Sequence, residues 1–158
     1  MAAADADIPA ALHVPMDQQL VLEARATGVQ VYECASNSTD SASYQWRLLG
    51  PEAVLKDPGG RVIGKHYAGP TWESNDGSKV AGEVWAQVPK DGAIPLLLLK
   101  AKANSGSGVM ANVRNVQRLD TIGGRAPSQP CGSQNVAEQV RVPYTATYLF
   151  YAAAQERY

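Results

Sequence analysis

Apolar and polar residues alternate along several segments of this chain, and that alternation limits its fold more than any other feature. The segments are residues 20–25, 29–32, 44–48, 79–88 and 140–150. A two-residue period places successive side chains on opposite faces, which indicates half-buried β-strands. A long helix would need apolar residues at every third or fourth position, and no segment has that spacing. Short helical turns are predicted only near residues 9–12 and 133–136.

Clusters of Gly, Pro, Asn, Asp and Ser separate the predicted strands. They occupy residues 57–60, 75–78, 90–92, 104–108 and 121–124. These residue types tolerate positive φ and cap their own backbone, so each cluster is predicted to be a turn. The strongest hairpin signal is Asp76-Gly77, between Trp72-Glu73 and Lys79-Val80. Many short strands joined by turns predict one all-β domain, an antiparallel β-barrel or β-sandwich over residues 19–158, after an N-terminal arm at residues 1–18.

Composition and missing motifs argue against several classes of function. Lys and Arg number 14 against 15 Asp and Glu, so no global field attracts nucleic acid or an anionic membrane. No apolar run approaches the roughly 18 to 20 residues that a membrane span needs. The glycine-rich fingerprints for dinucleotides and phosphates are missing, so we expect no nicotinamide-dependent dehydrogenase and no cofactor.

The densest group of reactive side chains lies between Gly64 and Glu73. Alternation along this segment predicts that His66 turns inward. In one interpretation His66 is a general base or a metal ligand near Glu73 or Asp76, because imidazole titrates close to neutrality. The favoured interpretation is a histidine hydrogen-bonded within or at the edge of a barrel. The only other histidine, His13, lies near the N-terminus, so we expect no metal site.

Aromatic side chains are the second candidate feature, since amphipathic rings suit contacts with sugars or protein partners. Tyr67 and Trp72 are expected to be core aromatics. Trp85 would be an exposed binding aromatic if it opposes Val84 and Ala86 on its strand, although burial beneath a second layer is slightly favoured. We assign no catalytic residue. The candidate binding residues are His66, Tyr67, Thr71, Trp72, Glu73, Asp76 and Trp85.

Two cysteines, Cys34 and Cys131, lie too far apart for a zinc knuckle or a redox Cys-x-x-Cys motif. A structural disulfide in an oxidising compartment is the favoured interpretation, and two buried free thiols are the alternative. Residues 1–7 lack the features of a secretion signal but look like the start of a mature chain after cleavage. Asn37-Ser38-Thr39 matches a glycosylation acceptor, which matters only in a eukaryotic secretory route.

The most distinctive segment is GKHYAGPTWE at residues 64–73. Further distinctive segments are residues 8–12, 22–34, 97–101, 116–124, 130–131 and 142–148. Together they resemble a family of secreted fungal and bacterial proteins known as a domain of unknown function, the one numbered 3455. The resemblance implies export after removal of a signal peptide and supports pairing of Cys34 with Cys131. It implies no catalytic residues. Some relatives carry a malate dehydrogenase label, but the dinucleotide fingerprint of such an enzyme is missing from this sequence.

We therefore predict a secreted or periplasmic, non-enzymatic binding protein of the cell surface or envelope. Its partner would be a small molecule, a glycan or another envelope component, with no nucleic acid and no membrane span. One alternative is a small enzyme, an isomerase, cyclase or metal-assisted hydrolase, that uses His66 in a barrel cavity with Tyr67, Glu73 or Asp76. A second alternative is a structural subunit that assembles into a homo-oligomer through an exposed strand edge.

Overall fold

Eight antiparallel strands, connected in chain order, close into a barrel in which the last strand pairs with the first. The computed structural model describes residues 8–37 and 42–154, so residues 1–7 and the Ser38-Thr39 of the glycosylation triplet lie outside the described residues. The strands are β1 (Gln18–Ser36), β2 (Tyr44–Lys56), β3 (Val62–Tyr67), β4 (Thr71–Ser74), β5 (Lys79–Lys90), β6 (Ala93–Ser105), β7 (Val113–Gly123) and β8 (Gln139–Ala153). The predicted all-β fold is confirmed, and it is a barrel.

Small residues bring neighbouring strands close enough together to build this narrow ring. A Cβ atom on Gly28 would lie 2.5 Å from the Cα of Ala53 in the paired strand. A Cβ on Gly64 would lie 3.2 Å from the Cα of Ser74 and still closer to the backbone of Glu73. At these positions only glycine allows the strands to approach as they do.

The barrel interior is filled with side chains at one end, which we call the closed end. This end carries the β2–β3, β4–β5 and β6–β7 connections, and the last of these forms a short 3-10 turn at Val109–Asn112. Met110 in that turn is buried against the inner core. The inner core at this end includes Leu55, Val80, Val113, Val116 and Phe150.

A second apolar cluster covers part of the outer surface. Ile8 and Leu12, from the predicted N-terminal arm, pack there against outward-facing residues of β6, β7 and β8. The Gln117 amide Nε2 donates to the Leu12 carbonyl oxygen at 2.7 Å. Both faces of β8 are therefore buried along its second half. The predicted short helical turns are confirmed as 3-10 turns at Ala10–Leu12 and Ser133–Asn135.

The predicted turn at residues 121–124 is wrong, because β7 continues to Gly123. Ile122 pairs with Thr145 and Gly123 with Tyr144, after a bulge that follows Leu119. Asp120 (φ 50°) and Gly123 (φ 71°) adopt positive φ within this irregular strand and not in a chain reversal. The reversal follows in the long β7–β8 connection.

A disulfide joins Cys34, near the end of β1, to Cys131 in the β7–β8 connection, with the two Cα atoms 6.0 Å apart. The predicted disulfide is confirmed, and the free-thiol alternative is wrong. The Trp46 indole also donates to the Gln129 carbonyl oxygen at 2.9 Å. The connection is thus held at the second end of the barrel, which we call the open end. No helix in the described ranges is long and apolar enough to cross a membrane.

Candidate functional site

Unequal strand lengths open the barrel near its open end. β3 has six residues and β4 only four, and β3 pairs with β2 only from Ala53 to Lys56. β4 pairs with β5 only through residues 79–81. The upper parts of β2 and β5 therefore extend beyond the β3–β4 hairpin with no strand between them. This gap leads into a cavity of about 460 Å³ inside the barrel.

Apolar side chains form most of the cavity wall. Leu48 and Leu49 line it from β2, Val84 from β5, and Ile94 and Leu97 from β6. Leu48 and Val84 are 52% and 53% exposed, which places them where the cavity meets solvent. The cavity is therefore accessible from outside and suits a ligand with an apolar body.

Stacked rings form the floor of the cavity. The Trp72 ring lies parallel to His66, with the ring centroids 4.6 Å apart. Tyr148 meets the edges of both rings, at 5.0 Å from His66 and 5.5 Å from Trp72. Phe150 lies beyond, 6.0 Å from Trp72. This cluster separates the cavity from the packed core at the closed end.

His66 is held in its neutral form within this floor. Its Nδ1–H donates to the Thr71 carbonyl oxygen at 2.8 Å, which leaves Nε2 as the unprotonated nitrogen. The pKa of His66 is lowered from 6.5 to about 3, chiefly by burial. The Thr71 hydrogen bond opposes this shift, and the positive charge of Arg118 contributes to it. The ring is therefore a weak base near neutral pH.

Arg118 brings a positive charge into the cavity from β7. Its Nε and Nη2 donate to the Pro95 carbonyl oxygen at 3.1 and 2.9 Å. The ion pairs within residues 8–37 and 42–154 involve other cations, so Arg118 has no carboxylate partner there. Arg118 is half-buried, so its guanidinium is only partly solvated and an anionic partner would stabilise it.

Two further cavity residues carry buried polar atoms without partners. Gln30 is 2% exposed and Trp72 is 1% exposed, and both line the cavity. The Gln30 Oε1 acceptor and the Trp72 Nε1 donor have no hydrogen-bond partner among the described residues. A buried polar group without a partner typically costs about 1–3 kcal/mol.

The predicted site residues divide between the two faces of the barrel. His66 and Trp72 line the cavity, as the inward orientation of His66 predicts. Tyr67 faces outward, where its hydroxyl donates to Glu73 Oε1 at 2.8 Å, so its expected place in the core is wrong. The Glu73 Oε1 also lies 3.8 Å from the Nζ of Lys79, in an ion pair. The Thr71 carbonyl orients His66, while its hydroxyl donates within the hairpin turn.

Asp76 lies at the closed end, away from the cavity. Its carboxylate accepts hydrogen bonds from the hydroxyl and amide of Ser78 and from the Val109 amide. The hydrogen bond from the Ser78 hydroxyl and then that from Val109 lower the pKa of Asp76 to about 2. Asp76 therefore ties the β4–β5 hairpin to the β6–β7 connection.

Trp85 lies on the outer surface and is 64% exposed. The slightly favoured expectation that it is buried is wrong, and its alternative as an exposed aromatic is confirmed. A bulge between Val84 and Ala86 turns Trp85 outward. The outer layer covers Ala86 but leaves Trp85 beside Lys100, whose Nζ lies 4.1 Å from the ring centroid.

The sequence reasoning missed Arg118 and Gln30. Arg118 lies two residues after Val116, which faces inward, so alternation along β7 also turns Arg118 inward. A charged residue at an inward position is the sequence signal that indicates it. Alternation over residues 29–32 predicts that Gln30 lies on the polar face of β1, but Gln30 is buried and lines the cavity. Within the described ranges, no three His, Cys, Asp or Glu side chains cluster closely enough to hold a metal ion.

Comparison with known proteins gives one match. The sequence profile of the family described as "Protein of unknown function (DUF3455)" matches residues 15–152. No curated protein and no solved structure matches the chain.

Proposed function

The chain belongs to the DUF3455 family of proteins of unknown function, and on that premise we propose that it is a non-enzymatic protein that binds a small, largely apolar molecule inside its barrel. The observation that carries the proposal is the cavity of about 460 Å³. Its volume falls within the roughly 300 to 1,000 Å³ typical of ligand pockets. Its wall combines many apolar side chains with a few polar ones, among them Gln30, His66 and Arg118, which is the composition of a specific binding site.

Acid–base catalysis by His66 has less support than binding. Burial lowers the pKa of His66 to about 3, so the ring accepts a proton poorly near neutral pH. Tyr67 and Glu73 bond to each other on the outer face, and Asp76 bonds at the closed end. The carboxylates proposed to work with His66 are thus separated from it.

We also propose that the protein works outside the cytoplasm, at the cell surface or in the envelope. The support is the Cys34–Cys131 disulfide, because such bonds persist mainly in oxidising compartments. Assembly through a strand edge has less support, since ring closure pairs every strand with a neighbour on each side along part of its length.

A cavity-filling substitution tests the binding function. N-phenyl-1-naphthylamine is a neutral apolar dye that fluoresces when it enters a dry pocket. We expect saturable binding by the wild-type protein and at least about tenfold weaker binding by Val84→Trp, a cost of about 1.4 kcal/mol. Val62→Trp is the matched control, because Val62 is 50% exposed and does not line the cavity. No saturable binding by the wild type, or equal loss in both variants, would contradict the proposal.

A further inference from the structure

Arg118 carries a charge that the interior of the barrel does not balance. It follows the inward residue Val116 by two positions and reaches the cavity, where Pro95 contributes a carbonyl oxygen. Tyr148 provides a neutral hydroxyl as a further hydrogen-bond partner. A guanidinium has five N–H donors and binds most strongly to an anion with two oxygens. These partners use about three of the five donors, and neither of them carries a negative charge.

Four titratable groups lie close enough to Arg118 to feel its charge, and these four are neutral near pH 7. Tyr32, Tyr144 and Tyr148 have pKa values raised chiefly by burial, which outweighs the opposite effect of the Arg118 charge. His66 is neutral because burial lowers its pKa. The three ion pairs of the described ranges do not include Arg118. The positive charge therefore lacks a counter-charge within the part of the chain that the structure describes.

Two polar side chains that line the same cavity, Trp72 and Gln30, also carry a buried polar atom. The Trp72 indole N–H and the Gln30 carbonyl oxygen have no hydrogen-bond partner among the described residues, and both side chains are at least 98% buried. The surrounding wall is built from Leu, Ile and Val side chains. An inorganic anion would satisfy the charge but leave this wall empty, whereas a neutral lipid or sugar would leave the charge unpaired.

We propose that the ligand is an apolar organic acid whose carboxylate pairs with the Arg118 guanidinium while its hydrocarbon body fills the cavity. This inference rests on the proposed binding function. The guanidinium fork matches the two oxygens of a carboxylate, and the partial exclusion of water strengthens the pair.

A pair of nearly isosteric competitors separates charge from shape. 4-Phenylbutanoate and 4-phenylbutanamide differ only in replacing a carboxylate with a neutral amide, and each is titrated against bound N-phenyl-1-naphthylamine. For the wild type we expect the carboxylate to displace the dye at a concentration at least about tenfold lower than the amide. In Arg118→Met the carboxylate and the amide should displace the dye at about the same concentration, while the affinity for the amide stays nearly unchanged. Arg118→Lys should retain part of the preference because it keeps the charge.

The outcomes distinguish the two proposals. If the wild type does not bind the dye, the binding function itself fails. If the dye binds but both competitors displace it equally, or neither does, the organic-acid inference is overturned while the binding function stands. A preference that survives in a folded Arg118→Met variant also overturns it. The wild-type comparison needs no variant, so a folding defect in Arg118→Met does not remove the test.

Discussion

His66 should make the barrel lose stability as the pH falls from 7 to 5. The side chain is 3% exposed, and burial lowers its pKa from 6.5 to about 3. The unfolded chain therefore binds a proton near pH 6.5 that the folded chain does not bind. Because the pKa is lower in the folded state, the neutral ring leaves the fold unaffected above pH 6.5. Stability is lost as the pH falls from 6.5 toward 3.

The size of this loss follows from proton linkage. Within the window one extra proton binds the unfolded chain, so the free energy of unfolding falls by about 1.4 kcal/mol per pH unit. Allowing for partial protonation near pH 6.5, the loss between pH 7 and pH 5 is about 2 kcal/mol. This value does not depend on the exact folded pKa of His66 as long as that pKa lies well below 5. For a domain of this size it lowers the midpoint of thermal unfolding by roughly 4–8 °C.

Urea unfolding followed by tryptophan fluorescence at pH 7 and pH 5 measures the effect. The matched variant is His66→Asn, whose amide can still donate to the Thr71 carbonyl oxygen but does not titrate. Loss of ring stacking on Trp72 lowers the stability of the variant at both pH values, so the readout is the difference between them. An equal pH dependence in both proteins, or a His66 pKa near 6.5 by NMR titration, would refute the reasoning.

Two further predictions concern the disulfide and the N-terminal segment. Replacing Cys34 and Cys131 together with Ala should lower the free energy of unfolding by up to about 4.7 kcal/mol, because the crosslink joins residues 97 positions apart; a loss below about 1 kcal/mol in urea unfolding would contradict this. Leu12→Ala should cost about 2–3 kcal/mol, because Leu12 is fully buried against the outer face. The fully exposed Met16 provides the control: Met16→Ala should stay within about 0.5 kcal/mol of the wild type, and equal effects would refute the packing role of Leu12.

Much of the fold was predictable because strand periodicity and turn chemistry are local properties. The predicted hairpin at Asp76-Gly77 is confirmed, because turn chemistry is local. Its loop contains three residues, Asn75 to Gly77, so Trp72 pairs with Val80 and not with Ala81 as a two-residue turn would require. Turn chemistry also gave the wrong prediction of a turn at residues 121–124, because the positive φ of Gly123 lies within an irregular strand. Which role such a residue takes depends on the pairing of β7 with β8, and a local pattern does not contain that information.

The candidate site was predictable only in part. Alternation correctly placed His66 inside, and the same rule places its neighbour Tyr67 outside, so the two could not share one cavity. Whether the Trp85 side chain is exposed depends on how far the outer apolar cluster extends across β5. Arg118 and Gln30 come from strands that are distant in the sequence, and nothing local marks them as neighbours of His66.

By itself, the sequence determined an all-β body with an Asp-Gly hairpin and short 3-10 turns, and it favoured the crosslink between Cys34 and Cys131. These features follow from side-chain period, backbone preference and thiol chemistry. Only the tertiary structure decided that the short β3–β4 hairpin leaves a gap in the barrel wall, and that Arg118, which has no carboxylate partner among the described residues, lines the cavity with His66 and Tyr148. The reason is that ring closure and strand register, which act over the whole chain, set which inward side chains meet.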